Sequence, residues 1–155
     1  MQIDDVDQRI IASLVADARS SYADIGARVS LSAPAVKRRV DRLRAAGVIR
    51  GFTAVIDPAA VGWTTEAFVE LFCAGRTTPA QIGVAVRRLP EVVGAYTVSG
   101  EADALVHLRA ADIAHMENAL ERLRAQTFVT STRSTIVLSR LVDSPTVVAA
   151  PTDPT

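Results

Sequence analysis

The spacing of apolar residues changes once along the chain, and this change constrains the fold more than any other feature. Up to Gly47, apolar residues recur every three or four positions, which is typical of amphipathic helices. After Pro58, short runs rich in β-branched residues alternate with helical patterns. The 155 residues are therefore predicted to form an α+β protein of two small domains, the first helical and the second mixed.

The first third of the chain contains three predicted helices. The first begins after Asp4 or Asp5, the second after Ser21 and the third after Ser32, because aspartate and serine are good N-terminal caps. Gly47 marks the end of the third helix. Two short helices joined by a turn of a few residues, the second of them basic, are typical of a helix-turn-helix. In that motif the second helix enters the major groove of DNA.

Positive charge is concentrated on the third predicted helix. The chain has 17 basic and 17 acidic residues in total, but positions 34–50 contain six basic residues and a single acidic one. Such a local excess favours a polyanionic partner. Val36, Val40 and Leu43 share the side expected to face the core. Arg39 projects beside this stripe, so an ion pair within the domain is as well supported for it as DNA contact. The residues predicted to contact DNA are Ser32, Pro34, Ala35, Lys37, Arg38, Arg39 and Arg42.

A possible wing follows the basic helix. The run from Val48 to Ile56 alternates and is rich in β-branched residues, which predicts a strand. We therefore expect a winged helix-turn-helix DNA-binding domain at 1–50 and a strand and hinge linker at 51–63. An effector-binding and oligomerisation domain should follow at 64–143, with a flexible Pro- and Thr-rich tail at 144–155.

The second domain has the predicted element order β-α-β-β-α-β. Strands are expected at 66–73, 92–98, 103–109 and 129–138, with helices at 79–88 and after Asp112. This order is the ferredoxin-like sandwich, in which both helices cover one face of an antiparallel sheet. The strand at 66–73 is apolar on both faces, so a second subunit is the simplest cover for the other face.

A series of short motifs runs in order through nearly the whole chain, from Ile3 to Leu141. The N-terminal motifs are D-x-x-D-x-x-I at 4–10, DIGARV at 24–29, LS at 31–32, RVDRL at 39–43, GVI at 47–49 and IDP at 56–58. The C-terminal motifs are VSGEAD at 98–103, TRS at 132–134 and IVL at 136–138. With their spacing, these motifs resemble those of the Lrp/AsnC transcription factors, also called feast/famine regulators.

The resemblance implies a DNA-binding N-terminal domain and a C-terminal αβ sandwich that dimerises and assembles further into tetramers or octamers. It also implies that amino acids bind between the effector domains as regulators. Two positions depart from the family pattern. Ser30 stands where the family usually has glycine, which costs on the order of 1 kcal/mol if the position needs a positive φ. Ala102 stands where an aromatic residue is common, so the identity of the effector does not transfer.

The effector site is expected at the turn 99–103. A free amino acid needs N–H donors for its carboxylate and acceptors for its ammonium group. The turn offers backbone amides at Gly100 and a carboxylate at Asp103. Hydroxyl side chains on one face of the last strand add donors and acceptors, while Arg133 points the other way. The alternative is that Gly100 only closes a hairpin and Asp103 only pairs locally. The predicted effector residues are Ser99, Gly100, Glu101, Ala102, Asp103, Thr130, Thr132 and Ser134.

The other reactive side chains predict no catalytic or metal site. His107 and His115 have no carboxylate or cysteine at ligand spacing, so we expect packing or surface roles for them. Cys73 lies in an apolar run without a second thiol, and no motif places a base near it. The sequence has no Ser-His-Asp, Cys-His or phosphate-loop pattern, so we expect neither enzymatic activity nor a cofactor.

The N-terminus is acidic and lacks a signal sequence, and no apolar run approaches the ~18 residues of a membrane helix, so a soluble cytoplasmic protein is expected. The predicted function is a sequence-specific DNA-binding transcriptional regulator that acts as a homo-oligomer. Its C-terminal domain is expected to sense a small molecule, an amino acid by the resemblance. The alternative is a small-molecule-binding αβ domain whose N-terminal helices serve assembly, with no role in DNA binding.

Overall fold

The chain divides between Val55 and Ile56 into a helical unit and an α/β unit. This division falls inside the linker expected at 51–63. The structure, a computed structural model, describes residues 2–142. The tail expected at 144–155 therefore lies outside the described residues.

Three helices form the first unit: α1 (Asp5–Ala16), α2 (Tyr22–Val29) and α3 (Ala33–Ala45). Each carries one apolar stripe, and the three stripes meet in a common core. Full burial of an aliphatic side chain contributes about 1.5–3 kcal/mol, so this core holds together helices that are too short to be stable alone. The core consists of Ile10, Leu14, Ile25, Val29, Val36 and Val40.

The ends of these helices follow the predicted caps with one difference. Asp4 caps α1 through a reciprocal capping box with Asp7, and the Ser21 hydroxyl accepts a hydrogen bond from the Asp24 N–H at the start of α2. Ser32 stands at the N-cap of α3, but its side chain makes no capping hydrogen bond. At the start of α3, Pro34 has no N–H to cap, and the Ala35 N–H donates to the Ser32 carbonyl at 2.9 Å.

A three-residue turn, 30–32, joins α2 to α3. Ser30 has a left-handed backbone, with φ of 60° and ψ of 43°, and is the one non-glycine residue with positive φ among residues 2–142. The turn lies close against α2, because the Leu31 N–H donates to the Gly26 carbonyl at 2.9 Å. A Cβ atom on Gly26 would lie 2.3 Å from the Leu31 carbonyl oxygen, so this approach requires glycine.

The prediction of a strand and wing from Val48 to Ile56 is wrong for the described chain. The segment forms neither helix nor strand, and it pairs with no strand among residues 2–142. The N–H groups of Val48 and Ile49 instead donate to the Leu43 carbonyl and close the end of α3. Val55 is 74% exposed. A period of two specifies a strand only where a neighbouring strand supplies hydrogen bonds, and the described part of the chain supplies none here.

The α/β unit has the predicted order of elements. After a short 3-10 helix (Ala59–Val61) come β1 (Thr65–Cys73), α4 (Pro79–Val86), β2 (Val92–Thr97), β3 (Ala104–Ala110), α5 (Ile113–Arg124) and β4 (Val129–Ile136). The four strands form an antiparallel sheet in the order β2-β3-β1-β4, as the ferredoxin-like layout requires. None of the helices described, in this unit or the first, has the length and apolarity needed to cross a membrane.

Both helices of this unit cover the same face of the sheet. The inward side chains of the strands and helices form a core of Ala67, Val69, Leu71, Ile82, Val86, Leu89, Ala104, Val106, Leu108, Ala110, Met116, Ala119, Leu120 and Leu123. Neither α4 nor α5 covers the opposite face, which we call the uncovered face. On that face the Phe68 ring, 38% exposed, stacks on His107 with ring centroids 4.5 Å apart.

Candidate nucleic-acid interface and effector site

α3 presents two different sides. Val36, Val40 and Leu43 are 0% exposed and hold the helix against its own domain. At about 100° per residue, Arg38 and Pro34 lie on the side opposite to these three. Of the predicted DNA-contacting residues, Ala35 and Arg39 are partly buried, and the exposed ones are Ser32, Pro34, Lys37, Arg38 and Arg42.

The buried carboxylate of Asp7 holds two arginines of α3. Asp7 is 0% exposed, and it accepts hydrogen bonds from Arg39 Nη1 on Oδ1 at 2.8 Å and from Arg42 Nη2 on Oδ2 at 2.7 Å. Arg39 also donates to Asp4 at 2.7 Å. The Arg39 bond and the Asp7 N–H hold the pKa of Asp4 below its ordinary value. The ion pair considered for Arg39 from the sequence is therefore present, and Arg42 shares it.

Half of the basic residues at 34–50 are paired within the domain. Besides Arg39 and Arg42, Lys37 forms an i,i+4 ion pair with Asp41 at 2.6 Å. The other three have no ionic or hydrogen-bonding side-chain partner among residues 2–142, namely Arg38, Arg44 and Arg50. These three are the cations of the segment that are available to an external partner.

The predicted effector turn forms the connection between β2 and β3. Gly100 has a φ of 140°, a backbone conformation that L side chains rarely adopt. The Asp103 Oδ2 atom accepts a hydrogen bond from the Cys73 N–H at 2.7 Å, so this carboxylate has a local structural partner. Its second oxygen makes no hydrogen bond within residues 2–142. The turn is exposed except at Ala102, which is buried.

Two of the three hydroxyl residues predicted on β4 face the helices. Thr132 pairs with Leu71 and Ser134 pairs with Val69, and residues opposite each other on paired strands share a face. Arg133 points the other way, as expected. Its guanidinium lies 5.4 Å from the centroid of the Phe72 ring on the uncovered face. The side chains of Thr132 and Ser134 therefore do not open onto the uncovered face.

The effector turn and the start of β4 meet at the same end of β1. On one side of β1, the Asp103 N–H donates to the Leu71 carbonyl at 2.9 Å. On the other side, the Thr130 hydroxyl donates to the Phe72 carbonyl at 2.8 Å. Thr132 lies opposite Leu71, and its hydroxyl accepts from Arg124 Nε at 3.1 Å. The structure thus brings Asp103, Thr130 and Thr132 to one end of the sheet, whereas Ser134 lies further along β4.

Comparison with known proteins decides the family. The AsnC-type helix-turn-helix domain model matches residues 3–44, and the Lrp/AsnC ligand binding domain model matches residues 66–147. The HTH-type transcriptional regulator Rv2324 of Mycobacterium tuberculosis is 54% identical over 142 residues, which cover 92% of this chain and 96% of that protein. This chain belongs to the Lrp/AsnC family.

Solved Lrp/AsnC structures have the same fold. One of them is the feast or famine regulatory protein Rv3291c of M. tuberculosis, complexed with L-methionine. It is 33% identical in sequence and superposes with a TM-score of 0.86, and the match covers 94% of this chain and 98% of the Rv3291c chain. Another is the L-Met complex of the transcriptional regulator NMB0573 from Neisseria meningitidis, which is 25% identical with a TM-score of 0.86. The match covers 95% of this chain and 97% of the NMB0573 chain. The present Lrp/AsnC protein is thus a DNA-binding transcriptional regulator with a ligand-binding domain.

Asp7 pairs with two arginines of α3, although it was not among the residues predicted at the DNA-binding surface. It precedes Ile10 and Leu14 by three and seven positions, so it lies on the buried face of α1. An acidic residue on an apolar stripe signals a buried ion pair, because an unpaired buried carboxylate is very costly. The spacing of α1 could therefore have shown that Asp7 needs a cation, although not which one.

A second buried carboxylate, Glu91, was also missed. Glu91 is 2% exposed and accepts hydrogen bonds from Arg122 and from His115 Nε2, the latter at 2.8 Å. Burial raises the pKa of Glu91, but the two hydrogen bonds outweigh burial and hold the pKa below its ordinary value. The His115 ring also lies 5.9 Å from the Trp63 ring. No local pattern predicts this cluster, since its members are far apart in sequence.

The reactive side chains in the described chain do not form a metal centre. Within residues 2–142, no group of three or more His, Cys, Asp or Glu is placed to hold a metal ion. Burial raises the pKa of the half-buried Cys73 thiol, and the charge of Asp103 adds to this effect. A raised pKa disfavours the nucleophilic thiolate.

Proposed function

We propose that α3 of this Lrp/AsnC regulator lies in the major groove and contacts base edges mainly through Arg38. The observation that supports this is the position of Arg38, which is exposed, lies opposite the buried stripe and has no side-chain partner within residues 2–142. Arginine donates two parallel hydrogen bonds to guanine O6 and N7. Ser32, Pro34 and Ala35 form the start of α3, where the positive end of the helix dipole favours a backbone phosphate.

A gel shift with the protein's own upstream DNA at several salt concentrations tests this proposal. Arg38→Ala is expected to lose about 1–3 kcal/mol of operator binding. Arg76→Ala is the matched control, because Arg76 is exposed but lies in the second unit. If Arg38→Ala binds the operator with unchanged affinity and unchanged salt slope, α3 is not the recognition helix.

We also propose that a free amino acid binds at the end of β1, between the turn 99–103 and the start of β4. The support is chemical. The unused carboxylate oxygen of Asp103 suits an ammonium group, and the exposed backbone around Gly100, together with the hydroxyl of Thr132, supplies donors for a carboxylate. Two relatives of similar fold form complexes with L-methionine.

Thermal shift against a panel of free amino acids tests the effector site, because a ligand that binds the folded state raises the melting temperature. Asp103→Asn should abolish the shift, since asparagine can still accept from the Cys73 N–H but lacks the charge that attracts ammonium. Glu117→Gln, an exposed change of the same kind on α5, should respond like the wild type. A full response by Asp103→Asn would place the site elsewhere.

We propose that a second copy of this chain covers the open face of the sheet. Phe68 is exposed there and stacks on His107, which pairs with Glu66. Burial raises the pKa of Glu66, but hydrogen bonds from Arg140 and His107 outweigh it and hold the pKa below its ordinary value. The Glu66 carboxylate thus already has partners, as Glu70 has in Arg133, and exposed aromatic rings beside paired charges favour association.

A further inference from the structure

The basic surface of α3 is smaller than its composition suggests, because Asp7 of α1 binds two of its arginines. Both oxygens of the Asp7 carboxylate are occupied, one by Arg39 and the other by Arg42. The two arginines are three positions apart and lie on the flank of α3 that faces α1. Asp4 adds a second carboxylate to Arg39. Two aspartates and two arginines therefore form a cluster without net charge.

The ion pairs of Asp7 with Arg39 and Arg42 should remain intact when DNA approaches. The Arg42 side chain is 49% exposed and the Arg39 side chain 27%, so both extend to the surface, yet the carboxylate that holds them is fully buried. A phosphate could attract either guanidinium. Moving one to the phosphate would leave a buried charge without its partner, which costs more than a solvent-exposed ion pair returns.

We propose that Asp7 is a specificity-determining residue for DNA binding, which acts by keeping Arg39 and Arg42 away from phosphates. Phosphate contacts strengthen binding to any sequence, whereas base contacts discriminate between sequences. With the two arginines held, α3 retains Arg38 and Arg44 as its unpaired cations. Asp7 thereby lowers binding to random DNA more than binding to the operator. This inference rests on the proposed docking of α3 on DNA.

The test measures the binding of full-length Asp7→Asn to the operator and to a scrambled duplex of equal length, over a range of salt concentrations. Each phosphate contact adds about −0.9 to the slope of log affinity against log salt concentration. Asp7→Asn should therefore bind the scrambled duplex more tightly, with a slope steeper by about one to two, and its ratio of operator to scrambled affinity should fall. A role of Asp7 in folding alone would weaken both duplexes and would not steepen the slope.

Two further variants complete the test. Asp5→Asn removes the same charge from the same turn of α1, but Asp5 is exposed and its side chain has no partner within residues 2–142, so the slope should not change. Asp4→Asn keeps an equally good helix cap and releases only one bond to Arg39, so it should steepen the slope less than Asp7→Asn. If Asp7→Asn does not fold, the salt slope of Asp4→Asn alone tests whether releasing Arg39 adds a phosphate contact.

The inference is overturned if Asp7→Asn folds and has the wild-type salt slope, or if Asp5→Asn steepens the slope as much as Asp7→Asn does. If Asp7→Asn does not fold, a wild-type slope for Asp4→Asn overturns the inference instead. The Arg38→Ala variant separates this failure from that of the proposed function. If Arg38→Ala weakens operator binding while Asp7→Asn leaves the slope unchanged, α3 docks on DNA and only the role of Asp7 is wrong. If neither variant changes binding, the docking itself is wrong.

Discussion

Ser30 carries a backbone strain that the turn of the helix-turn-helix imposes on it. An L residue such as serine adopts this left-handed conformation at a cost of about 1–2 kcal/mol, because its Cβ crowds the backbone, whereas glycine has no Cβ. The side chain of Ser30 makes no hydrogen bond among residues 2–142 that would offset this cost. The departure from glycine noted in the sequence is thus a real energetic one, and the fold tolerates it.

Ser30→Gly should raise the free energy of unfolding of the helical unit by about 1 kcal/mol, because glycine adopts this conformation without strain. Chemical denaturation followed by far-UV circular dichroism measures the change. Gly47→Ala is the converse control: Gly47 has a φ of 72° and open space around it, so alanine adds strain without a clash and should destabilise by a similar amount. A neutral Ser30→Gly would show that the turn relaxes around serine.

The lowered pKa of Glu91 predicts that the stability of the second unit depends on pH. Its pKa is lowered in the folded state, so its contribution to stability is present above its unfolded pKa of about 4.3 and is lost as the pH falls through the folded value. Glu91→Gln should destabilise by about 1–3 kcal/mol near neutral pH. The difference from wild type should shrink below about pH 4.

Denaturation of wild type and variant over a series of pH values tests this dependence. Glu101→Gln is a suitable control, since Glu101 is exposed and its side chain has no partner within residues 2–142, so its effect should be small at every pH. A difference between wild type and Glu91→Gln that stays constant into acid would contradict the sign of the pKa shift.

The turn between α2 and α3 depends on the absence of one methyl group. At Gly26, alanine would gain about 1 kcal/mol in helix propensity, but its Cβ would meet a backbone oxygen of Leu31 at 2.3 Å. That oxygen is a backbone atom of the residue whose N–H closes the turn onto the Gly26 carbonyl, so making room for the methyl group requires a backbone shift in the turn. The clash should therefore win over the propensity.

Gly26→Ala is expected to destabilise the helical unit by about 1–3 kcal/mol and to weaken operator binding by displacing α3. Denaturation and a gel shift on the same preparation measure the two effects. Gly51→Ala is the matched control, because nothing lies within 4 Å of the added methyl group and the backbone is not in the left-handed region. Wild-type stability of Gly26→Ala would mean that the turn is looser than the structure shows.

Local patterns predicted the helices and the sheet, because each of these elements carries its own period and caps. The stripe of Val36, Val40 and Leu43 specified α3, and the order of the later elements specified the ferredoxin-like layout. The strand from Val48 to Ile56 failed because a strand requires a partner, and the alternation of residues does not show whether one exists.

The contacts made by the candidate site residues could be predicted less completely than the fold, and their roles stay a prediction. Asp103, Thr130 and Thr132 do gather at one end of β1, because the strand order places β3 and β4 on either side of it. The partners of Arg39, Arg42 and other charged residues could not be predicted, since ion pairs join positions that are distant in sequence and leave no periodic trace.

At the scale of the whole molecule, the uncovered face of the sheet is the surface through which we propose that two copies associate. A fragment of residues 63–143 should remain oligomeric on its own, because this face belongs entirely to the second unit. In the full chain, Phe68→Glu should shift the protein toward monomer, since a carboxylate buried without a partner is strongly unfavourable. Light scattering at micromolar concentration measures both.

Val84→Glu is the control for association. Val84 is 55% exposed on α4, so this variant makes the same apolar-to-acidic change on the helical side of the sheet and should leave the oligomeric state unaltered. A monomeric 63–143 fragment, or an undisturbed oligomer in Phe68→Glu, would mean that the copies meet through another surface.

The contact between Trp63 and His115 gives the protein an internal optical label. Trp63 is the single tryptophan of the chain, and it lies in the second unit beside the histidine that binds Glu91. Tryptophan emission therefore reports unfolding of the ligand-binding unit, whereas far-UV dichroism sums both units. Recording the two signals in one titration would separate the two transitions, without dyes and without dividing the chain.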